Sequence, residues 1–135
     1  MKIVFADTGY WIAMANPRDD YHGRASDVSA SLGRFRIVTS ELVLAEMLAG
    51  LAAPATRGVA AEMVQRVMVD PNTEVVPQTG LQFRVALTFY RERPDKNWSL
   101  VDCASFLIMQ EKEIREALAH DHHFEQAGYA ALLRA

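Results

Sequence analysis

Short apolar blocks alternate along this chain with longer stretches in which apolar residues recur at helical spacing. The short blocks predict four strands, over residues 2–6, 36–39, 74–77 and 115–119. The longer stretches predict helices over residues 8–15, from a cap at Asp19 or Asp20 to about 32, from a cap at Ser40 to about 52, from Pro54 to about 69, over 80–93 and over 99–112, followed by a short tail.

Strands that alternate with helices over the whole length predict one architecture. We expect an α/β fold, a three-layer α/β/α sandwich around a central, mostly parallel sheet. The chain has 135 residues without a linker or an internal repeat, so residues 1–135 are predicted to form a single domain. In such folds ligands bind outside the carboxyl ends of the strands, which is where the functional residues are expected.

Composition narrows the class of protein. Half of the residues are apolar and 23% are charged, which is typical of a globular domain. A net charge of −3 argues against a protein that coats nucleic acid by charge alone, but it does not exclude a nuclease. No apolar stretch approaches the roughly 20 residues of a membrane span, and the first apolar patch is too short for a secretory signal. A cytoplasmic protein with no membrane association is therefore predicted.

Four carboxylates lie in apolar surroundings. Asp7 and Asp121 stand at the carboxyl ends of the first and fourth predicted strands. Glu46 lies in a helical segment, residues 42–53, in which every other residue is apolar or glycine. Asp102 lies in a similar segment, residues 100–109, whose other polar residue is Ser105. The sequence therefore predicts that all four side chains face the core or a cleft.

Acids converging on one cleft need a cation. A buried ionised carboxylate costs several kcal/mol unless it is paired, hydrogen-bonded or bound to metal, and carboxylates that share a site raise one another's pKa. Oxygen ligands select hard divalent ions, here Mg²⁺ or Mn²⁺. Such a site supports the attack of water on a phosphate ester.

Simpler interpretations exist for each residue. Ser99 precedes Asp102 by three residues, as in a helix-capping pair, and Asp7 and Asp121 could each open a turn. Glu46 has no comparable structural explanation. The neighbouring His120, His122 and His123 could bind a transition metal, although a partly exposed role without metal is favoured for them. The single cysteine, Cys103, is expected to be a small core residue.

The sequence resembles a known family, the PIN-domain ribonucleases, and in particular the VapC-type toxins of bacterial toxin–antitoxin pairs. The resemblance spans the chain and is carried by four segments: Ile-Val-Phe-Ala-Asp-Thr at residues 3–8, Thr-Ser-Glu-Leu-Val-Leu-Ala-Glu at 39–46, Trp-Ser-Leu-Val-Asp at 98–102, and Ala-Leu-Ala-His-Asp-His-His-Phe-Glu-Gln-Ala-Gly-Tyr at 117–129. The four acids fall on the acidic positions of the family.

The resemblance implies Mg²⁺- or Mn²⁺-dependent endonucleolytic cleavage of RNA, a homodimer, and neutralisation by a small VapB-type antitoxin. It implies that Asp7 and Asp102 are direct or water-mediated metal ligands, that Glu46 and Asp121 complete the catalytic acidic pocket, and that Thr8 is an auxiliary polar contact. One departure is visible: many relatives carry a glycine where this chain has Glu113, which brings the geometry of that turn into question.

Three other functions are compatible with the residues. The chain could be a PIN-fold module that acts mainly through protein binding, or a PIN nuclease of RNA processing that is not a toxin. A metal-dependent phosphatase of another class is less well supported, because the first strand ends in a single aspartate, Asp7, and not in an Asp-x-Asp pair.

Overall fold

A computed structural model describes residues 1–134. Its strands are β1 (Lys2–Ala6), β2 (Phe35–Ser40), β3 (Thr73–Val76), β4 (Glu116–Leu118) and β5 (Ala130–Ala131). Its helices are α1 (Thr8–Ala15), α2 (His22–Ser31), α3 (Glu41–Gly50), α4 (Arg57–Val69), α5 (Gly80–Glu92), α6 (Leu100–Glu111) and α7 (His122–Gln126). The four predicted strands and six predicted helices are confirmed, with shifts at several boundaries.

The strands form one sheet in the order β3-β2-β1-β4-β5, and every neighbouring pair is parallel. β1 lies at the centre, where Val4, Phe5 and Ala6 are fully buried. Helix α1 packs against α2, α3 and α4, whereas α5 packs mainly against α6. The predicted three-layer α/β/α architecture is therefore confirmed, and it brings the ends of β1, β2 and β4 to one edge of the sheet.

Two predicted helix starts were wrong. Helix α2 begins at His22, because the Asp19 carboxylate accepts a hydrogen bond from the Tyr21 N–H in a turn that precedes the helix. Helix α4 begins at Arg57 and not at Pro54, because the Thr56 hydroxyl donates to the Leu51 carbonyl oxygen and holds residues 51–56 in a turn. The predicted cap of α3 is confirmed, since the Ser40 hydroxyl accepts from the Val43 N–H.

The tail carries more structure than its sequence suggests. It contains the five-residue helix α7 and the two-residue strand β5, which pairs with β4 through Ala130 and Ala131. Elements this short leave no periodic pattern in a sequence. Among residues 1–134, no helix has both the length and the apolar character needed to cross a membrane.

The turn between α6 and β4 has the geometry that a glycine would favour. Glu113 adopts a φ of 56°, in the left-handed region. Glu113 therefore adopts the backbone conformation expected of a glycine, at the conformational cost that a Cβ atom imposes there. Gly33, predicted just past α2, has a φ of 69° and needs no such compensation.

Candidate metal-dependent nuclease site

Buried polar residues are concentrated where β1 and β2 end. Asp7 and Thr8 follow β1, and Thr39 and Ser40 close β2; all four are buried. The Thr39 hydroxyl donates to the Ala6 carbonyl oxygen at 2.9 Å and accepts from the Trp11 indole N–H at 3.1 Å. These bonds fix the end of β1 and therefore the position from which the Asp7 side chain extends.

Asp7 is placed as predicted and is held in an unusual state. The residue is 8% exposed, and its Oδ1 atom is buried without a hydrogen-bond partner among the described residues. Asp7 is the N-cap residue of α1, yet its side chain caps no N–H group. The interpretation of Asp7 as a residue that opens a turn is confirmed for its backbone, because its carbonyl oxygen accepts from the Tyr10 N–H at 3.1 Å, but it leaves the buried side chain unexplained. Buried polar atoms are almost always paired, so an unpaired carboxylate oxygen needs an explanation.

The pKa of Asp7 depends on all three of the other predicted acids. Burial raises the pKa of Asp7 to about 7, and the charges of Asp102, Glu46 and Asp121 act in the same direction. The backbone N–H of Thr8 acts in the opposite direction. All four predicted carboxylates therefore lie near enough to interact, and we refer to Asp7, Glu46, Asp102 and Asp121 as the acidic crevice.

Asp102 is both a cap and a member of the acidic crevice. It is 8% exposed, and its N–H donates to the Ser99 hydroxyl at 3.0 Å while its Oδ2 accepts from the Ser99 N–H at 3.0 Å. The predicted capping pair is therefore confirmed, and it does not compete with a role at the site. The reciprocal bonds fix the carboxylate at the first turn of α6.

Asp121 follows β4 and is half-buried. Its Oδ1 accepts from the His123 N–H at 3.0 Å at the start of α7, so Asp121 also combines a turn with a place in the acidic crevice. The strand register places Ala6 beside Leu118, and the Asp7 N–H donates to the Leu118 carbonyl oxygen at 3.1 Å. This pairing is what brings two acids from opposite parts of the sequence to one edge.

The burial predicted for Glu46 was wrong. Helix α3 buries Val43, Leu44 and Met47 on one side and leaves the other side exposed, with Glu46 and Leu48 on it. Helix α3 is therefore exposed to solvent on one side, although its almost wholly apolar composition predicts a buried helix. Glu46 nevertheless remains close enough to raise the pKa of Asp7, so it borders the acidic crevice from the solvent side.

Thr8 connects two elements of the site. Its hydroxyl donates to the Val43 carbonyl oxygen at 3.5 Å, which links the start of α1 to the helix that carries Glu46. The hydroxyl therefore has a partner within the protein. An additional contact from Thr8 to a ligand stays a prediction.

His123, for which a partly exposed role without metal is favoured by the sequence, lies inside the site. Its Nδ1 lies 3.0 Å from Asp102 Oδ2 and 3.2 Å from Asp121 Oδ1, and its side chain is 15% exposed. Among residues 1–134, the ligand atoms of Asp121, His122 and His123 form a group within 4.8 Å of one another. The spacing Asp-x-His at 121–123 is the signal in the sequence, but the contact with Asp102 depends on how α6 and α7 pack.

Positive charge is scarce around the acidic crevice. Within residues 1–134, the ion pairs of Asp102 and Asp121 involve His122 and His123, and neither Asp7 nor Glu46 has a lysine or arginine within 4.0 Å. Acidic groups gathered without cationic side chains, one of them with an unpaired buried oxygen, suit a bound divalent cation. A parallel α/β sheet with such an acidic edge has the design of a metal-dependent hydrolase of phosphate esters.

The chain belongs to the PIN-domain family, whose sequence profile matches residues 4–128. The family resemblance seen in the sequence is thereby confirmed. A relative from Mycobacterium tuberculosis, the 23S rRNA-specific endonuclease VapC20, is 29% identical over 137 aligned residues, which cover 94% of this chain and 95% of VapC20.

Solved structures of toxin–antitoxin proteins are also similar to this chain. The crystal structure of Mycobacterium tuberculosis VapC20, described as a sarcin-ricin loop cleaving toxin, matches with a TM-score of 0.86 and 27% identity over 95% of this chain and 97% of that one. VapBC2 from Rickettsia felis, bound to a DNA fragment from its promoter, matches with a TM-score of 0.63 and 11% identity over 95% and 96%. FitAcB from Neisseria gonorrhoeae matches with a TM-score of 0.61 and 14% identity over 94% of each chain. The last two show the fold alone.

Proposed function

We propose that this protein is a Mg²⁺- or Mn²⁺-dependent endoribonuclease that acts as the toxin of a toxin–antitoxin pair. The observation that carries the proposal is the buried, unpartnered Oδ1 of Asp7, surrounded by three other carboxylates in a PIN domain. A domain that served only to bind a protein would gain nothing from this arrangement, because the unpaired oxygen costs free energy of folding.

The residues present fit a hard divalent cation. Asp7 and Asp102 are the proposed ligands, direct or through water, and Glu46 and Asp121 complete the acidic set. The four carboxylates do not close into one group within 4.8 Å, the spacing found at Asp121, His122 and His123. This suits Mg²⁺, which keeps several of its waters when it binds to proteins. The ion would supply charge stabilisation at the attacked phosphate and a more acidic water.

The chain's own groups have separate tasks in this proposal. The Thr39 bonds hold Asp7 at the end of β1, and the Ser99 cap holds Asp102 at the start of α6. Glu46, on the solvent side, is placed to orient water or to receive its proton. Burial keeps a proton on Asp7 near pH 7, and a bound cation would favour release of that proton.

The substrate proposed first is the sarcin-ricin loop of 23S rRNA, because VapC20, the relative with 29% identity, is named for 23S rRNA. A ribosomal substrate places the protein in the cytoplasm. The test is cleavage of a sarcin-ricin hairpin and of a total RNA pool by wild type and Asp7→Asn, each with Mg²⁺, Mn²⁺ or EDTA.

We expect discrete fragments that require the metal and Asp7, and a loss of more than about a hundredfold in Asp7→Asn, since removing a group that only hydrogen-bonds to a metal ligand already costs about ten- to a hundredfold. Cleavage of the RNA pool without cleavage of the hairpin would change the substrate but keep the nuclease. Equal activity of Asp7→Asn and wild type, or absence of cleavage of both RNAs by folded wild type, would contradict the proposal and favour a protein-binding module.

The proposed protein partner is a VapB-type antitoxin. An apolar cleft between α1 and α4, lined in part by Trp11, Met14, Met63 and Val67, offers a surface for a partner helix. A short open reading frame immediately upstream of the gene is expected. Its absence would contradict the toxin role and leave the nuclease role intact.

A homodimer is proposed through helix α5. This helix buries Ala86 and leaves apolar side chains exposed along its flanks, at Leu81, Phe83, Val85, Leu87 and Tyr90. On one flank, Leu81 and Val85 line a cleft of about 370 Å³ together with apolar residues such as Leu42 and polar residues such as Gln82. Exposed apolar patches of this kind mark contact surfaces, and a second copy of this chain is the occupant we propose.

A further inference from the structure

One imidazole nitrogen connects two acids of the acidic crevice. His123 Nδ1 lies 3.0 Å from Oδ2 of Asp102, on α6, and 3.2 Å from Oδ1 of Asp121, at the start of α7. The ring is 15% exposed, whereas the neighbouring His122 ring is 58% exposed. The Nδ1 atom forms a hydrogen bond with Asp102 Oδ2, and the Asp121 oxygen lies beside it as a close electrostatic contact. A nitrogen next to two carboxylate oxygens, which only accept, is expected to carry a hydrogen and donate it.

The hydrogen bonds occupy one oxygen of each carboxylate. Asp102 Oδ2 accepts from the Ser99 N–H and from His123, and Asp121 Oδ1 accepts from the His123 N–H and faces the His123 ring. Oδ1 of Asp102 and Oδ2 of Asp121 take no hydrogen bond from residues 1–134. Each carboxylate therefore has one fixed oxygen and one that is available to a ligand.

We propose that His123 is a positioning residue of the acidic crevice. Its Nδ1–H donates to Asp102 Oδ2 and lies beside Asp121 Oδ1, which leaves the second oxygen of each carboxylate available to the metal. This inference rests on the proposed function, because the two free oxygens need a shared ligand only if a cation binds. Hydrogen bonds that orient metal-binding carboxylates are a recognised determinant of affinity.

Asp121 is the acid that most needs this support. It caps α7, a helix of five residues, and its side chain is otherwise held by the N–H of His123 in its own turn. Asp102, by contrast, belongs to the twelve-residue α6 and to a reciprocal capping pair. The His123 ring therefore transmits the rigidity of α6 to an acid on a short element. A histidine that served only in packing would not need its Nδ1 atom to lie beside the carboxylates of Asp102 and Asp121.

Two substitutions separate the nitrogen from the rest of the ring. His123→Asn keeps an N–H donor near the position of Nδ1, whereas His123→Gln places its donor near the position of Nε2. The comparison is made on full-length protein with Mn²⁺ alone as the probe, by electron paramagnetic resonance of free Mn²⁺. His122→Ala tests the adjacent, exposed histidine, whose Nδ1 lies 3.4 Å from Asp121 Oδ1, and Asp7→Asn tests the site as a whole.

We expect His123→Gln to bind Mn²⁺ about ten- to a hundredfold more weakly than wild type, and both His123→Asn and His122→Ala to lose less affinity than His123→Gln. Equal affinities of wild type and both His123 variants would overturn the inference. Equal weakening in Asn and Gln would also overturn it, in favour of direct ligation by the imidazole or general packing. A wild type that binds no Mn²⁺, or a fully active Asp7→Asn, would instead contradict the proposed function.

A second measurement needs no variant. In metal-free wild type, long-range proton–nitrogen NMR correlations of the histidine rings report which nitrogen carries hydrogen. We expect the His123 Nδ1 to be protonated. A neutral ring protonated at Nε2 alone would overturn the inference even if the His123 variants failed to fold.

Discussion

The acidic crevice and the outer surface of α5 depart from the usual pattern of a folded domain in opposite ways. In the acidic crevice a carboxylate oxygen is buried without a partner. On α5, large apolar side chains are exposed, Leu81 by 66%. Within residues 1–134, no lysine or arginine pairs with the acidic crevice, and no apolar side chain covers these residues of α5. Each makes the isolated chain less stable than it would be with the missing component, so the two departures indicate two separate binding events.

The two regions are nevertheless connected. Helix α5 packs mainly against α6, and α6 begins with the capping pair that holds Asp102. A second copy seated on α5 therefore lies one helix away from a proposed metal ligand. A buried carboxylate and an exposed large apolar side chain are both unusual, and each indicates the chemistry of its partner. The buried carboxylate indicates a cation, and the exposed apolar side chains indicate an apolar surface.

The largest expected effect concerns the burial of Asp7. Its pKa is about 7 in the folded protein against 3.8 for the free side chain. Below pH 3.8 both states are protonated and burial costs nothing; as the pH rises to 7 the unfolded state loses its proton first, so stability falls. We expect metal-free wild type to lose on the order of 4 kcal/mol relative to Asp7→Asn between pH 4 and pH 8.

Urea unfolding in EDTA measures this difference, and the Asp7→Asn comparison cancels the contributions of titrating groups that do not interact with Asp7. Saturating Mg²⁺ at pH 8 should restore stability to wild type but not to Asp7→Asn. A difference that stays constant across the pH range would show that the crevice is hydrated enough to tolerate the charge, and the contrast with α5 would no longer hold.

The α5 surface can be tested by a change on one flank. Leu81→Asp should raise the dissociation constant of the dimer by more than about tenfold, because it buries a charge at the proposed contact. The fold of the monomer should be unaffected, because Leu81 is exposed. Sedimentation equilibrium measures the dissociation constant. Leu87→Asp, on the opposite flank of α5, is the matched control. Equal weakening by both variants would move the contact to the whole helix, and no effect of Leu81→Asp would exclude this flank.

The smallest expected effect lies away from both regions, at Glu113. Because its φ of 56° is strained for any residue with a Cβ, Glu113→Gly should raise the free energy of unfolding by about 1 kcal/mol. RNA cleavage and dimerisation should be unchanged, so this variant is a stability control for the other two. Thermal unfolding decides the sign. A loss of stability would mean that the Glu113 side chain contributes more than the turn costs it.

Much of the fold could be predicted because its signals are local. The buried runs of β1 and β2 and the Ser40 and Ser99 caps are each specified by a few consecutive residues. Helix α7 and β5 could not be predicted, because they depend on pairing with β4 and on packing around Phe124, which is fully buried. Elements of two to five residues derive their stability from tertiary contacts and not from their own sequence.

The site shows the same division. Asp7, Asp102 and Asp121 could be predicted, since each follows a recognisable strand or cap. The exposure of Glu46 could not, because an apolar helix that lies at the surface on one side has the composition of a buried one. The position of His123 depends on the distance between α6 and α7, which no local pattern contains.

The central place of β1 in the sheet has a consequence for the order in which the protein is made. Its last two residues pair with β4, in the register Phe5 to Ala117 and Ala6 to Leu118, and Asp121 follows only after that strand. On a translating ribosome, Asp7 is therefore made more than a hundred residues before Asp121. A nascent chain interrupted after Asp102 holds three of the four acids but lacks Asp121, His123 and the strand that closes the sheet against β1. The proposed nuclease therefore completes its site only after residue 123 has been synthesised.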